Sequence, residues 1–331
     1  MAVTSHPAPF DRIPRRIRNR RSRRFLRRSR WLVQTGRLRH VRYSTRTLWI
    51  VRGLHCYRRR RALQALVCAY RWTHRDPSRR VFAECAVVDS RTSTVIPEGV
   101  SLLAAVPLGC AGRTAWRAVK EAGLRPGQWL GIVGSGGGLG HLVVQFATKM
   151  GLKVVGIEVK DEGLELTKEM GADVVIDARK GKDEVVREVG KAVLGDDGKD
   201  VDHNGLFATD GVDATDSLSD ADDAAGLACA ITKMHGLVVQ VAQPLEVKIP
   251  FIELILRDVR IKGSLQCSGK ESEELLKVFS DHEVKVKMTP FYGLDQVEEL
   301  EKVVSSGKLQ GRAAIIIDPH QLQHEKEMVR H

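Results

Sequence analysis

The stretch WLGIVGSGGGLG at residues 129–140 decides the fold class of this 331-residue chain. Its first part, Trp129–Val133, is apolar apart from one glycine and predicts a buried strand. Five glycines follow between residues 134 and 140, where they allow a sharp backbone turn. Apolar residues then recur at helical spacing up to Met150, and Gly151 predicts the end of that helix. A strand, a glycine turn and a helix in this order indicate an α/β sheet protein.

The same alternation of strands and helices continues after residue 151. Further strands are predicted at 154–157, 174–176, 237–241 and 259–263, and further helices at 161–170, 184–194 and 220–234. Short apolar strands that alternate with helices predict a doubly wound parallel sheet with helices on both faces. Residues 201–216 stand where a fourth strand is expected, but ten Asp between Asp196 and Asp223 predict a solvated loop that interrupts the sheet.

The glycine turn has the spacing Gly134-x-x-Gly137-x-x-Gly140 and lacks the usual G-x-G-x-x-G pattern. Glycines allow the backbone to approach a pyrophosphate, and the helix that follows presents its positive dipole end to the anion. Glu158 ends the next strand, where a carboxylate accepts a hydrogen bond from an adenosine ribose and repels a 2′-phosphate. The pattern therefore predicts NAD rather than NADP. The alternative is a surface glutamate that only caps the helix starting at Asp161.

Charge divides the chain near residue 81. Residues 1–80 contain 24 Arg, no Lys and two acids, whereas residues 81–331 contain 29 basic and 39 acidic residues. Residues 1–80 are therefore predicted to be a disordered or targeting head. Three interpretations remain open: phosphate contacts with nucleic acid, a mitochondrial transit peptide, or a segment never selected as a folded domain. The absence of Lys favours the third, and nucleic-acid binding is the least favoured.

Neither a membrane span nor a disulfide scaffold is predicted. The longest uncharged run, residues 126–148, contains seven Gly within its 23 residues, too many for a membrane helix. The six Cys include no C-x-x-C pair, which argues against a zinc knuckle and against a disulfide-dense secreted protein. A reducing compartment fits this usage. We expect the cytoplasm, or the mitochondrion if the head is a transit peptide.

Several separate motifs between Phe82 and Asp318 resemble zinc-type alcohol dehydrogenases of the medium-chain dehydrogenase/reductase family. These motifs are Phe82-Ala83-Glu84, Ile96-Pro97-Glu98-Gly99, Pro107-Leu108-Gly109-Cys110-Ala111-Gly112, Pro126-Gly127-Gln128-Trp129, the glycine loop and Gly311-Arg312-Ala313-Ala314. The resemblance implies a Rossmann domain for NAD at 113–263 and a remnant of a GroES-like catalytic domain at 81–112. Residues 264–318 then end the Rossmann domain and return to that remnant, and 319–331 form a tail.

The resemblance also implies roles for individual residues. Cofactor binding is implied for Gly134, Gly137, Gly138, Gly140, Glu158, Val241, Ser264 and Arg312. Thr114 is placed beside the nicotinamide, and Cys110 matches a ligand of the catalytic zinc. The implied reaction is hydride transfer between NAD and a small alcohol or aldehyde, in a homo-oligomer. The alternatives are a buried apolar thiol at Cys110, a surface cation at Arg312 and a helix-capping hydroxyl at Thr114.

Two departures from the family's pattern qualify these expectations. A catalytic zinc takes three protein ligands, yet residues before Phe82 contain no Gly-His-Glu and no cysteine cluster. We therefore expect an incomplete zinc site, with an NAD(H)-binding remnant that lacks catalysis as the alternative to an active dehydrogenase. In addition, Gly163 stands five residues after Glu158, where the family usually has Lys.

Overall fold

A computed structural model describes residues 94–97, 100–194, 210–282, 284–306, 309 and 311–317. It also gives the backbone of three short strands at 31–35, 37–41 and 65–66. Most of the head at 1–80, most of the predicted loop before residue 210 and the tail at 319–331 lie outside the described residues. The predicted domain boundaries stay predictions.

A six-stranded parallel sheet forms the centre of the described fold. Its strands, in chain order, are β5 (Trp129–Val133), β6 (Lys153–Glu158), β7 (Val174–Asp177), β8 (Val212–Ser217), β9 (Thr232–Gln240) and β10 (Arg260–Gly263). Their order across the sheet is β10-β9-β8-β5-β6-β7, and every neighbouring pair is parallel. This is the Rossmann order, with its switch point between β5 and β8. The predicted fold class is confirmed.

Three smaller strand pairs accompany the sheet. The pair β1 (Trp31–Thr35) and β2 (Arg37–Val41) is antiparallel, as is the pair β3 (Ala65–Leu66) and β4 (Thr94–Val95). The pair β11 (Met288–Tyr292) and β12 (Arg312–Ile316) is parallel. Since β12 carries Arg312, this last pair brings a distant cation to the large sheet.

Helices cover both faces of the sheet. In chain order they are α1 (Leu102–Ala105), α2 (Ala111–Ala122), α3 (Gly140–Lys149), α4 (Asp161–Glu169), α5 (Lys182–Leu194), α6 (Ala224–Ile231), α7 (Phe251–Ile255), α8 (Gly269–Asp281) and α9 (Val297–Ser305). Short 3₁₀ segments occur at Val106–Gly109, Ala178–Lys180 and Leu294–Gln296. None of the helices in the described ranges has the length and apolarity needed to cross a bilayer.

Two apolar clusters hold the helices to the sheet. On one face, α2, α3 and α8 pack against buried strand residues such as Leu130 and Ile132. Here the rings of Trp116 and Phe146 meet edge to face, with 5.5 Å between their centroids. On the other face, α5 and α6 pack against residues such as Ile157. Both faces of the central strands are thus buried, as a doubly wound sheet requires.

The predicted interruption of the fourth strand is wrong for residues 212–216. These residues belong to β8, which lies between β5 and β9 near the centre of the sheet. The backbone N–H of Trp129 donates to Asp213 at 2.8 Å, and the Gln128 side chain donates to it at 3.1 Å. Lys233 also pairs with Asp213. These partners satisfy the Asp213 carboxylate, so that this polar residue can lie within the sheet.

The helix predicted at 220–234 is shorter in the structure. It spans Ala224–Ile231 as α6, and Thr232 already begins β9. The Thr232 hydroxyl donates to the carbonyl of Ala228 at 2.7 Å, and Arg257 takes the Thr232 carbonyl at 2.6 Å. The same guanidinium also donates to the Cys229 and Ala230 carbonyls. Arg257 therefore ends the helix by satisfying its last carbonyl groups.

Candidate functional site

The glycine loop after β5 forms a tight turn at the carboxyl edge of the sheet. Gly134 has a positive φ of 88°, and its N–H donates to the carbonyl of Ile157 at 2.9 Å. A Cβ on Gly140 would lie 2.2 Å from the carbonyl oxygen of Gly134. The loop thus needs glycine both for its turn and for the closeness of α3. It brings the N-terminus of α3, which is the positive end of the helix dipole, to the switch point.

Glu158 lies at the end of β6 with its carboxylate folded toward the loop. One oxygen, Oε2, accepts the N–H of Gly136 at 3.0 Å, and Oε1 accepts the N–H of Val159 at 2.8 Å and of Lys160 at 3.3 Å. The side chain is nearly buried, with an exposed fraction of 9%. The carboxylate is therefore held beside the glycine loop, which makes Glu158 more than a cap on α4.

A pair of hydroxyl groups supports the loop from below. Ser135 and Thr167 share a hydrogen bond of 2.8 Å, and the Thr167 hydroxyl donates to the carbonyl of Gly163 at 2.7 Å. The Ser135 hydroxyl, which donates its proton to Thr167, lies 3.3 Å from the Ile157 carbonyl oxygen. Both side chains are fully buried. This network fixes the loop, β6 and α4 to one another.

Arg312 reaches the loop from β12. Its Nε donates to the carbonyl of Gly138 at 3.0 Å, and a Cβ on Gly138 would lie 3.0 Å from that nitrogen. Burial lowers the pKa of Arg312, while the neighbouring Cys110 acts in the opposite direction. The guanidinium keeps its charge all the same, since an arginine is effectively never deprotonated in a protein. Arg312 is thus a cation beside the loop, as the resemblance implies.

His141 lies directly below the loop, at the start of α3. Its Nδ1 is 3.0 Å from the carbonyl oxygen of Gly137, and its side chain is fully buried. Burial lowers the pKa of His141, with a smaller effect of Arg312 in the same direction. The ring is therefore neutral at pH 7 and serves as packing and as a hydrogen-bonding group.

Thr114 and Cys110 lie at the start of α2. The Thr114 hydroxyl donates to the carbonyl of Cys110 at 2.9 Å, so it does act within the first turn of the helix. The Cys110 thiol is exposed, and the amide nitrogen of Gln266 lies 3.5 Å from its sulfur. Arg113, in the same turn, binds the carbonyl of Cys267 at 2.5 Å. These contacts bring the segment after β10 against α2.

Val241 and Ser264 follow β9 and β10 on the same edge of the sheet. The N–H of Val241 donates to the Ser217 carbonyl at 3.0 Å, and the N–H of Ser264 donates to the Gln240 carbonyl at 3.0 Å. The two residues continue the strand ladder beyond the last regular pairs. The structure thus places all the predicted cofactor residues at the carboxyl edge, where open α/β sheets bind ligands.

Comparisons with known proteins agree with this geometry. The family described as zinc-binding dehydrogenase matches residues 138–281. Alcohol dehydrogenase 1 of Emericella nidulans is 32% identical over 70% of this chain and 62% of its own length. An alcohol dehydrogenase of Schizosaccharomyces pombe is 34% identical over 72% of this chain and 63% of its own length. Residues 138–281 thus match the zinc-binding dehydrogenase family, and the aligned part of the chain is similar to alcohol dehydrogenases.

A solved structure shows the same alcohol dehydrogenase architecture. The alcohol dehydrogenase of Aeropyrum pernix matches with a TM-score of 0.60 and 29% identity, over 71% of this chain and 64% of its own. The chain thus spans about three fifths of the length of the curated alcohol dehydrogenases that it matches. The family resemblance stated from the motifs is confirmed for this part.

The catalytic zinc of this alcohol dehydrogenase family does not fit the described residues. Within them, no group of three or more His, Cys, Asp or Glu is placed to hold a metal ion. Cys110 is the predicted ligand, and its contact there is the Gln266 amide. A catalytic zinc needs three protein ligands, and the described residues do not bring three together.

Sequence reasoning missed two glycines that shape the cofactor edge. Gly136 supplies the N–H that holds Glu158, and Gly163 packs directly against the Glu158 side chain. The signal for Gly163 was present, because a glycine replaces the usual Lys of the alcohol dehydrogenase family at this position. The role of this glycine depends on its contact with the Glu158 side chain, which forms only in the folded chain.

Proposed function

We propose that this chain binds NAD(H), and that it does so as the cofactor-binding part of an alcohol dehydrogenase-type oxidoreductase. The observation that carries the proposal is the carboxylate of Glu158, held at 3.0 Å from the N–H of Gly136 at the end of β6. A carboxylate fixed at this place accepts a ribose hydroxyl and repels a 2′-phosphate.

The residues around the loop fit a dinucleotide. The loop backbone packs closely against the start of β12, since a Cβ on Gly138 would lie 2.7 Å from the carbonyl oxygen of Gly311 and 3.0 Å from Nε of Arg312. The start of α3 and the Arg312 guanidinium would hold the pyrophosphate by helix dipole and by charge. Glu158 would bind the adenosine ribose. Backbone around Val241 and Ser264, with Thr114, would border the nicotinamide.

When bound, NAD⁺ would supply the redox chemistry as the acceptor of a hydride from an alcohol carbon, with the hydroxyl proton released to solvent. The contribution of this chain is to orient the cofactor against the sheet edge. The small alcohol or aldehyde that exchanges the hydride belongs to the same proposal.

To test cofactor choice, the full chain is titrated with NADH and with NADPH, and binding is monitored by the fluorescence of the cofactor. We expect a Kd for NADH on the order of micromolar and weaker NADPH binding. Glu158→Ala removes a charged hydrogen-bond acceptor, so the preference for NADH should shrink by about tenfold or more. Glu162→Ala, which removes an exposed acid in the first turn of α4, is the control and should leave the preference unchanged. An unaltered preference in Glu158→Ala contradicts the role of Glu158.

Binding without turnover is the second candidate function. It is favoured because the described residues supply a single predicted zinc ligand, Cys110. The expected result is NADH binding with no measurable ethanol oxidation, before and after addition of Zn²⁺. Zinc-dependent turnover, lost in Cys110→Ser, contradicts this candidate and supports an active dehydrogenase.

A further inference from the structure

Glu158 lies in a narrow slot between two backbone segments that carry no side chains. On one side is Gly136 of the loop, whose N–H donates to Oε2 of Glu158 at 3.0 Å. On the other side is Gly163, in the first turn of α4. A Cβ on Gly163 would lie 2.6 Å from Cγ and 2.8 Å from Cδ of Glu158. The aliphatic part of Glu158 therefore rests directly on the Gly163 backbone.

The two glycines also contact each other. A Cβ on Gly136 would lie 2.3 Å from Cα of Gly163 and 2.3 Å from its carbonyl oxygen. That carbonyl is fixed in turn by the Thr167 hydroxyl at 2.7 Å. The slot is thus closed on both sides by backbone that cannot move away easily.

Backbone hydrogen bonds hold the Glu158 side chain in its observed position. Its two carboxylate oxygens accept three backbone N–H groups, from Gly136, Val159 and Lys160. A methyl group at residue 163 would push Cγ and Cδ outward, and the carboxylate would have to leave the Gly136 N–H. Space at residue 163 and the placement of the acid are therefore coupled.

We propose that Gly163 is a positioning residue for cofactor specificity: it creates the slot that lets a glutamate, rather than the shorter aspartate, hold its carboxylate on the Gly136 amide. This proposal rests on the NAD(H)-binding function proposed above. In this arrangement the acid both accepts the ribose hydroxyl and occupies a loop N–H that would otherwise bind a phosphate. A 2′-phosphate is thus disfavoured twice, by charge and by the loss of a donor.

The experiment uses Gly163→Ala, Glu158→Asp and the double variant in the full chain. NADH and NADPH affinities are measured by titration. Exchange of the Gly136 amide proton is measured in the cofactor-free protein. Gly163→Ala should weaken NADH binding at least tenfold and speed amide exchange by a similar factor. Aspartate is one methylene shorter, so the double variant should recover most of both losses. Gly226→Ala, a helical glycine with no contact closer than 3.5 Å to an added Cβ, is the control and should change neither.

Each outcome bears on one proposal or the other. If the wild-type chain binds NADH but Gly163→Ala binds it equally well, the slot does not position the acid and this inference is wrong. The inference also fails if the double variant binds NADH no more tightly, and exchanges the Gly136 amide proton no more slowly, than Gly163→Ala alone. If the wild-type chain itself does not bind NADH, the proposed function fails and takes the specificity role of Gly163 with it.

Discussion

The two halves of the parallel sheet differ in whether their buried polar side chains have hydrogen-bond partners. In the half formed by β5, β6 and β7, polar side chains at the carboxyl ends have partners, as Ser135 and Glu158 show. In the half formed by β8, β9 and β10, several buried side-chain atoms have no hydrogen-bond partner within the described residues. They are both carboxylate oxygens of Asp216, Oγ of Ser217, Oε1 of Gln240 and Oγ of Ser264.

This difference shows which half of the sheet contains buried polar groups that lower the stability of the fold. A buried polar group without a partner costs about 1–3 kcal/mol, and more if it is charged. In the half that would hold the adenosine the polar groups at the strand ends have partners, and the exception is Nε2 of the buried His141 below the loop. The half that would border the nicotinamide contains polar atoms whose cost is not offset within the described fold.

The largest expected effect comes from Asp216. Burial raises the pKa of its carboxyl from 3.8 to about 8, so the native state holds the neutral acid while the unfolded chain ionises. The contribution of Asp216 to stability is therefore most favourable below about pH 4 and becomes less favourable as the pH rises toward 8. Asp216→Val should remove this dependence, with a gain on the order of 5 kcal/mol above pH 8. Urea unfolding at several pH values measures it.

Asp220→Ala is the control for this prediction, because Asp220 lies four residues after Asp216 in the sequence and is exposed. It should leave the pH dependence of unfolding as it is in the wild type. Equal pH dependence in Asp216→Val and in the wild type contradicts the comparison between the halves.

The next effect has the opposite sign and comes from the same half. Arg257 is buried, but its guanidinium bonds to Glu253 and to three carbonyls at the end of α6. Arg257→Ala leaves Glu253 buried without this partner, so the free energy of unfolding should fall by about 3–5 kcal/mol. Arg260→Ala, which removes an exposed guanidinium, should cause no measurable change. A stable Arg257→Ala variant would show that partners do not govern stability in this half.

The smallest effect tests the satisfied half. Gly140→Ala would place a Cβ 2.2 Å from the Gly134 carbonyl oxygen and 2.4 Å from that of Ser135. The loop must shift, which should lower the free energy of unfolding by about 1–3 kcal/mol and weaken NADH binding at least tenfold. Thermal unfolding and NADH titration measure both. Gly226→Ala again serves as the control, and an intact Gly140→Ala site would mean that the loop is less rigid than its contacts indicate.

The same comparison explains which strands could be predicted from the sequence. Strands β5, β6 and β7 are predictable because Trp129–Val133 and its two successors are apolar runs. Strand β8 reads VDATDS, and its polar pattern indicated a loop. The partners that bury Asp213 come from Gln128, Trp129 and Lys233, which no local pattern connects to it.

In the site, too, some features follow from the local sequence and others depend on contacts between distant segments. The glycine loop and Glu158 were predictable, because spacing and position on the strand are local properties of the sequence. The contact between Gly136 and Gly163 was not, since it is an approach of two backbones from separate segments. The early end of α6 was also hidden, because Arg257 lies well beyond the helix that it terminates.

The hydrogen bond from Arg312 to Gly138 joins residues 174 positions apart. Gln145 makes a similar long connection, since it binds both the N–H and the carbonyl of Lys285. During synthesis the chain emerges from its N-terminus, so the sheet can form before these late residues leave the ribosome. The glycine loop therefore receives its cation last, and a nascent chain that stops before β12 carries a turn without the clamp that holds it.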